Sequence, residues 1–315
     1  MKIIANGIDI EVEDTGAGSS PGGKERPAVL LIMGLGMQLI AWPPALVQVL
    51  VDAGYRVIRH DNRDIGLSQH FDHTGKPNLV WAALKYRLRC AINSPYSVRD
   101  MAHDAVGVLD ALKVEKAHVV GVSMGGMIAQ RVALAAPDRC LSLTSIMSTS
   151  GARGLPEARP GVLRALLGRP ASTALPDIVN FYVKLLKTIE SPAYPQPEAE
   201  VRERILLGTR RSYHPVGTAR QTLAIVADHT RASELRRITV PTLVLHGKAD
   251  PLIPFACGED TAKRIPGATL VGIEGMGHDL PSGVVQRLLE SLLPHLDACH
   301  LNAARLNPAH SMRLA

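Results

Sequence analysis

Short unbroken apolar runs alternate along the chain with longer stretches in which apolar residues return every three or four positions, the signature of buried strands joined by helices. Ile3-Ile4 and Ile8-Ile10-Val12 flank Asn6-Gly7, which predicts a hairpin. A Gly/Ser/Pro-rich loop, 16–27, follows. Ala28 to Met33 is apolar throughout, as a strand covered on both faces would be. A helix is expected from about Trp42 to Ala53, with Pro43 and Pro44 tolerated in its first turn and Gly54 closing it. Tyr55 to Arg59 is the next strand. After a loop, Ser97-Val98-Arg99-Asp100 predicts a capping box opening a helix through Leu112. Strand 117–122, a helix from Met124 to Ala136 stopped by Pro137, and strand 141–147 complete the first half.

The rhythm breaks at about Thr149. Residues 149–237 hold eight of the 22 prolines, helical stretches near Ile178 to Ile189 and Glu200 to Leu207, and no convincing strand. Strand 239–245, a helix near Cys257 to Arg264, strand 268–273 and a helix from about Gly283 to Leu296 then resume the alternation. Repeated strand–helix units imply right-handed crossovers and a parallel sheet. The expected architecture is α/β: a mostly parallel sheet with helices on both faces, in two core parts (1–148 and 238–299), an inserted helical cap (149–237) and a C-terminal tail (300–315).

Composition narrows the functional classes. With 46% hydrophobic and 20% charged residues among 315, the chain is ordinary globular material. No apolar run approaches the roughly 20 residues of a membrane helix, and the N-terminus lacks a signal-like apolar stretch. Four scattered cysteines without C-x-x-C spacing argue against a zinc site or disulfide framework and fit a reducing compartment, so a cytoplasmic protein without a membrane partner is expected. Residues 151–240 hold 14 Lys/Arg against 8 Asp/Glu, which accounts for the whole net charge of +6. The chain has only 2 Trp, 6 Tyr and 3 Phe, too few for a base-stacking surface, so nucleic acid is not the expected partner. The basic stretch is expected instead to attract anionic or polar-headed small molecules.

The chemistry concentrates in Gly121-Val122-Ser123-Met124-Gly125. This G-x-S-x-G string follows an apolar strand and opens a helix, the setting of a nucleophile elbow. A serine needs a base, and the base an orienting acid. His278 in Gly275-Met276-Gly277-His278 and Asp250 in His246-Gly247-Lys248-Ala249-Asp250 each stand just after a strand, as Ser123 does, on the edge where open α/β sheets carry their sites. Asp279 is a rival acid, but its adjacency to His278 turns its side chain elsewhere; the segment 148–151 offers no carboxylate. The amides of Met124 and of Leu35, in Met33-Gly34-Leu35-Gly36-Met37, are the expected oxyanion donors. Met33, Gly34 and Gly36 are expected beside the substrate, with methionine thioethers forming a deformable acyl pocket.

With these residues placed, the sequence resembles the α/β-hydrolase-fold serine hydrolases. The resemblance covers nearly the whole chain through Leu31-Ile32-Met33-Gly34, Asp61-Asn62-Arg63-Asp64-Ile65-Gly66-Leu67-Ser68, Ser123, Asp250 and His278. Many members carry His-Gly where this chain has Met33-Gly34, and Asp-x-Arg-Gly where it has Arg63-Asp64. Met33-Gly34 with Trp42-Pro43, and Arg63-Asp64-x-Gly, are similar to the aclacinomycin methylesterase-like branch. That resemblance implies cleavage of a methyl or other small-alcohol carboxylic ester, no metal or organic cofactor, and a monomer or homodimer. Lactonase, carbon–carbon bond hydrolase and perhydrolase chemistry on the same fold, or ligand binding with little turnover, are the alternatives. Asp61 and Arg63 are expected to form a structural ion pair.

Overall fold

The computed structural model describes residues 1–16 and 26–306, so most of the stretch 16–27 and the last part of the expected tail lie outside the described residues. Strands β1 (Lys2–Ala5), β2 (Ile8–Asp14), β3 (Ala28–Ile32), β4 (Arg56–His60), β5 (Ala117–Val122), β6 (Cys140–Ile146), β7 (Thr242–Gly247) and β8 (Thr269–Ile273) form one sheet in the order β1-β2-β4-β3-β5-β6-β7-β8. The Asn6-Gly7 hairpin pairs Ala5 with Ile8. β2 runs antiparallel to β4, and the six strands from β4 to β8 are parallel.

The helices are α1 (Pro44–Asp52), α2 (Leu79–Arg87), α3 (Val98–Ala111) and α4 (Met124–Ala135) in the first half. Between β6 and β7 come α5 (Pro160–Leu166), α6 (Leu175–Ile189), α7 (Glu198–Arg211), α8 (Pro215–Ala227) and α9 (Arg231–Glu234), with no strand among them; α10 (Phe255–Arg264) joins β7 to β8, and α11 (Ser282–Leu306) ends the described chain. Ser97 Oγ accepts from the Asp100 amide and Asp100 accepts from the Ser97 amide, so the expected capping box opens α3. Elsewhere the boundaries move. Residues 39–41 form a 3₁₀ turn that Trp42 ends, so α1 starts only at Pro44. Helix α11 continues past the expected tail boundary to Leu306, carrying Pro294 within it. Helix α2 falls where the sequence reading had only a loop.

The central strands explain their own composition. In β3, Ala28, Leu30 and Ile32 pack with residues of α3 and α4 on one face, while Val29 and Leu31 pack with α1 and α11 on the other. With no solvent face there is no polar alternation, and each fully buried Leu or Ile contributes roughly 1.5–3 kcal/mol.

Three histidines are enclosed in this core: His60, His118 and His246. Burial pushes all three below the ordinary imidazole pKa, His60 to about 4 and His118 to about 3. An unfolded chain protonates these groups near 6.5 while the folded chain keeps them neutral. The unfolded state therefore binds more protons as pH falls, and stability drops with it. The urea midpoint is expected to fall between pH 6.5 and 5.5, above the range where carboxylates titrate. A flat midpoint across that window would contradict the assignment.

Candidate active site

Ser123 sits between β5 and α4 with φ 56° and ψ −120°, a left-handed conformation that an L-residue holds only under constraint. The constraint comes from glycine on either side. A Cβ on Gly121 would lie 2.1 Å from the Gly125 carbonyl oxygen, and one on Gly125 would lie 2.0 Å from that of Ile32. The Ser123 amide donates to the Ile146 carbonyl, and the Ser148 hydroxyl donates to the Ser123 carbonyl at 2.7 Å. The turn is thus tied to β6 while α4 opens directly beneath the hydroxyl.

Ser123, Asp250 and His278, distant in sequence, meet at this edge. With the proton on Nδ1, His278 donates to Asp250 Oδ2 at 2.7 Å, and the Ser123 hydroxyl donates to His278 Nε2 at 3.0 Å. Asp250 is itself fixed, its Oδ1 accepting from the amides of Leu252 and Ile253 at 2.9 and 2.8 Å. The His278 amide donates to the Ile189 carbonyl at the end of α6. Asp279, the rival acid, turns away and accepts from the Ser191 amide and hydroxyl and from Gln196. His246 packs beside its strand end, donating from Nε2 to the Ile253 carbonyl.

The segment after β3 folds over the serine. Gly34 has so little room that a Cβ there would lie 3.2 Å from the Ser123 Cβ. The Met37 amide donates to the Gly34 carbonyl, closing a turn with Gly36 at φ 69°. The Gly36 amide donates to Gln221 Oε1 at 3.0 Å, while Gln221 Nε2 donates to the Arg63 carbonyl at 2.9 Å. The amides of Leu35 and Met124 have no protein acceptor among the described residues, as oxyanion donors require. Gln221, fully buried on α8, escaped the sequence reading because no local motif marks it.

A cavity of about 120 Å³ opens beside this turn, lined by Gly36, Met37, Ile65, Tyr182, Arg204 and Tyr213 among others. Met33 is 4% exposed and packs under β3 in the core, as Met124 does above it; Met37, 37% exposed, is the methionine that lines the cavity. Met33 faces inward because side chains alternate along β3 and its extension.

The expected Asp61–Arg63 pair does not form. Successive residues of Asp61-Asn62-Arg63-Asp64 reach in different directions and tie four elements together. Asp61 accepts from the Leu39 and Leu67 amides and from Arg211 on α7. Asn62 donates to the Met33 carbonyl. Arg63 makes a two-pronged pair with Asp104 on α3, both contacts at 2.6 Å. Asp64 makes another with Arg220 on α8, at 2.6 and 2.7 Å. Burial pushes the Asp64 carboxyl up, but Arg220, the Phe71 amide and the Tyr96 hydroxyl outweigh it and hold it below the usual range. Three cations of 151–240 are thus committed to buried structural pairs, Arg211 with Asp61, Arg220 with Asp64 and Arg231 with Asp228. Arg204 differs: it lines the cavity and donates to Gln196 at 2.9 Å.

Near these pairs, His70, Asp72 and His214 bring three potential ligand atoms within 4.8 Å of one another. The arrangement does not suit a metal ion. The imidazoles stack 3.9 Å apart with planes 2° from parallel, so no point lies in both ring planes, and Arg220 already donates to Asp72 Oδ1.

Residues 27–281 match the family model described as alpha/beta hydrolase fold. Two rhodomycin D methylesterases, one from Streptomyces peucetius and one from a second Streptomyces strain, are each 33% identical over 291 residues, covering 86% of this chain and 91% of theirs. Among solved structures, a meta-cleavage product hydrolase from Pseudomonas fluorescens superposes with a TM-score of 0.69 at 20% identity, covering 95% of this chain and 97% of that one. An enol-lactonase from Burkholderia xenovorans does so with a TM-score of 0.65 at 19% identity, covering 94% and 100%. The structural likenesses speak to fold alone.

Proposed function

The chain belongs to the α/β-hydrolase family, and from that premise we propose that it hydrolyses a small-molecule carboxylic ester by two-step acyl transfer at Ser123. The reading rests on one observation above all: the unbroken hydrogen-bonded line Asp250–His278–Ser123. The methylesterase relatives support an ester as the substrate class. Ser123 attacks the ester carbonyl as His278 Nε2 takes its proton. The Leu35 and Met124 amides hold the developing oxyanion, aided by the positive end of α4. The imidazolium, stabilised by Asp250, then protonates the departing alcohol. Water activated by the same imidazole releases the acid. Segment 149–237 acts as the cap, with α6, α7 and α8 walling the cavity beside the Gly34–Met37 turn.

The test is a panel of p-nitrophenyl and methyl esters of increasing acyl length, with Ser123→Ala as control. Turnover of esters, lost in the variant, is expected. A blank across the whole panel by folded protein would move the reading to lactones or carbon–carbon substrates, the alternatives on this fold.

Gln221 gives a second check, because it anchors the turn that presents the Leu35 amide. One fixed oxyanion donor is worth about 10²–10³ in kcat. Gln221→Ala, which loosens such a donor without removing it, is expected to cost about tenfold in kcat with KM nearly unchanged. A rise in KM at constant kcat would place Gln221 in substrate binding instead.

A further inference from the structure

Helix α2 and its cap expose four large apolar side chains, with cations interspersed among them. Of its residues only Ala82 is buried. Val80, Leu84 and Leu88, the last capping the helix, recur every fourth position on the face opposite Ala82, and Trp81 stands beside them. They are 82%, 44%, 63% and 54% exposed, values usual for lysine rather than leucine or tryptophan. Nothing in the folding of this chain requires that exposure.

The charge along this segment has one sign. Residues 73–99 contain five Lys/Arg and no Asp or Glu. Lys85, Arg87 and Arg89 lie on or next to the helix, with the Lys85 ammonium 5.8 Å from the Trp81 ring centroid. Arg153, from the segment after β6, places its guanidinium 5.4 Å from the Tyr86 ring and adds a further cation at this edge.

We propose that α2 docks the protein on an anionic lipid surface, with Val80, Trp81, Leu84 and Leu88 entering the boundary between headgroups and acyl chains and Lys85, Arg87 and Arg89 meeting lipid phosphates. Tryptophan is favoured at that depth, and long cationic side chains reach back to the headgroups while their stems stay apolar. The charge pattern selects this occupant over a second copy of the chain, because a two-fold interface here would set cation against cation. A convex helix of nine residues is also small beside the roughly 800 Å² per side that a stable protein interface buries. Among the described residues no helix is long and apolar enough to cross a membrane, but peripheral docking needs none. The expectation of no membrane partner, drawn from the lack of a spanning run, does not bear on this mode.

The chain carries its own probe. It has two tryptophans, and Trp42 is fully buried, so a fluorescence change on docking reports Trp81. The full chain is mixed with phosphatidylcholine vesicles, with and without about 30% phosphatidylglycerol, and both emission and co-sedimentation are followed. A shift to shorter wavelength is expected, with binding about 100-fold tighter to the anionic vesicles, since each cation near such a surface adds roughly tenfold or less. High salt should reverse it. A Trp81→Ser/Leu88→Ser variant and a Lys85→Glu/Arg87→Glu variant should each lose sedimentation while hydrolysing a soluble p-nitrophenyl ester as before. No shift and no sedimentation with anionic vesicles would overturn the proposal. So would equal binding to both vesicles, or a dimer in sedimentation velocity that Trp81→Ser/Leu88→Ser dissolves.

Discussion

Ser123→Ala is expected to lower kcat for ester hydrolysis by about 10⁵-fold while leaving the fold intact. The loss is this large because the serine, the imidazole and the carboxylate act as a unit. Without the hydroxyl, His278 has no proton to take from a nucleophile, and only the oxyanion donors and binding remain. The fold survives because alanine keeps the Cβ that the elbow already accommodates, and the hydroxyl's one side-chain partner is His278. Steady-state kinetics and circular dichroism on the same preparation check both halves. Residual activity within tenfold of the parent would mean that another group performs the attack.

The second large effect concerns stability. Arg220 and Asp64 are both fully buried and meet in a two-pronged ion pair between α8 and the segment after β4. Asp64 holds φ 72° to do so, in the left-handed region that favours glycine. The chain thus accepts a conformation that costs about 1–3 kcal/mol in exchange for an anchor under α8. Removing one partner leaves the other charged and enclosed, so Arg220→Ala is expected to lower the unfolding free energy by about 3–5 kcal/mol. Asp64→Gly relieves the backbone but strands the guanidinium, so it should lose much of the same amount. Asp64→Gly with Arg220→Leu, which strands neither charge, should recover part of the loss. Urea unfolding of the three variants measures this cycle; a loss below about 1 kcal/mol in Arg220→Ala would show that the pair does not anchor the segment.

How much of this was legible in the sequence depended on whether the cause was local. Strands β3, β5 and β7 declared themselves because enclosure on both faces leaves an unbroken apolar run. Ser123, Asp250 and His278 could be picked out because each lies within five residues of the end of a strand (β5, β7 and β8), and a parallel sheet gathers strand ends at one edge. What depended on distant partners was not readable. Arg63 has an acid two residues before it and one immediately after it, yet pairs with Asp104 on α3. Gln221 acts through residues on the far side of the site and carries no motif. Helix α2 is not legible because apolar and cationic residues are interspersed around it, which leaves no segregated apolar stripe.

The mechanism requires that the hydroxyl at position 123 become covalently acylated. Incubating the full chain with a fluorophosphonate, followed by intact mass and peptide mapping, asks that directly. One adduct per chain is predicted, on the peptide containing Ser123, and none in Ser123→Ala. An adduct on a different residue, or undiminished labelling of the alanine variant, would contradict it.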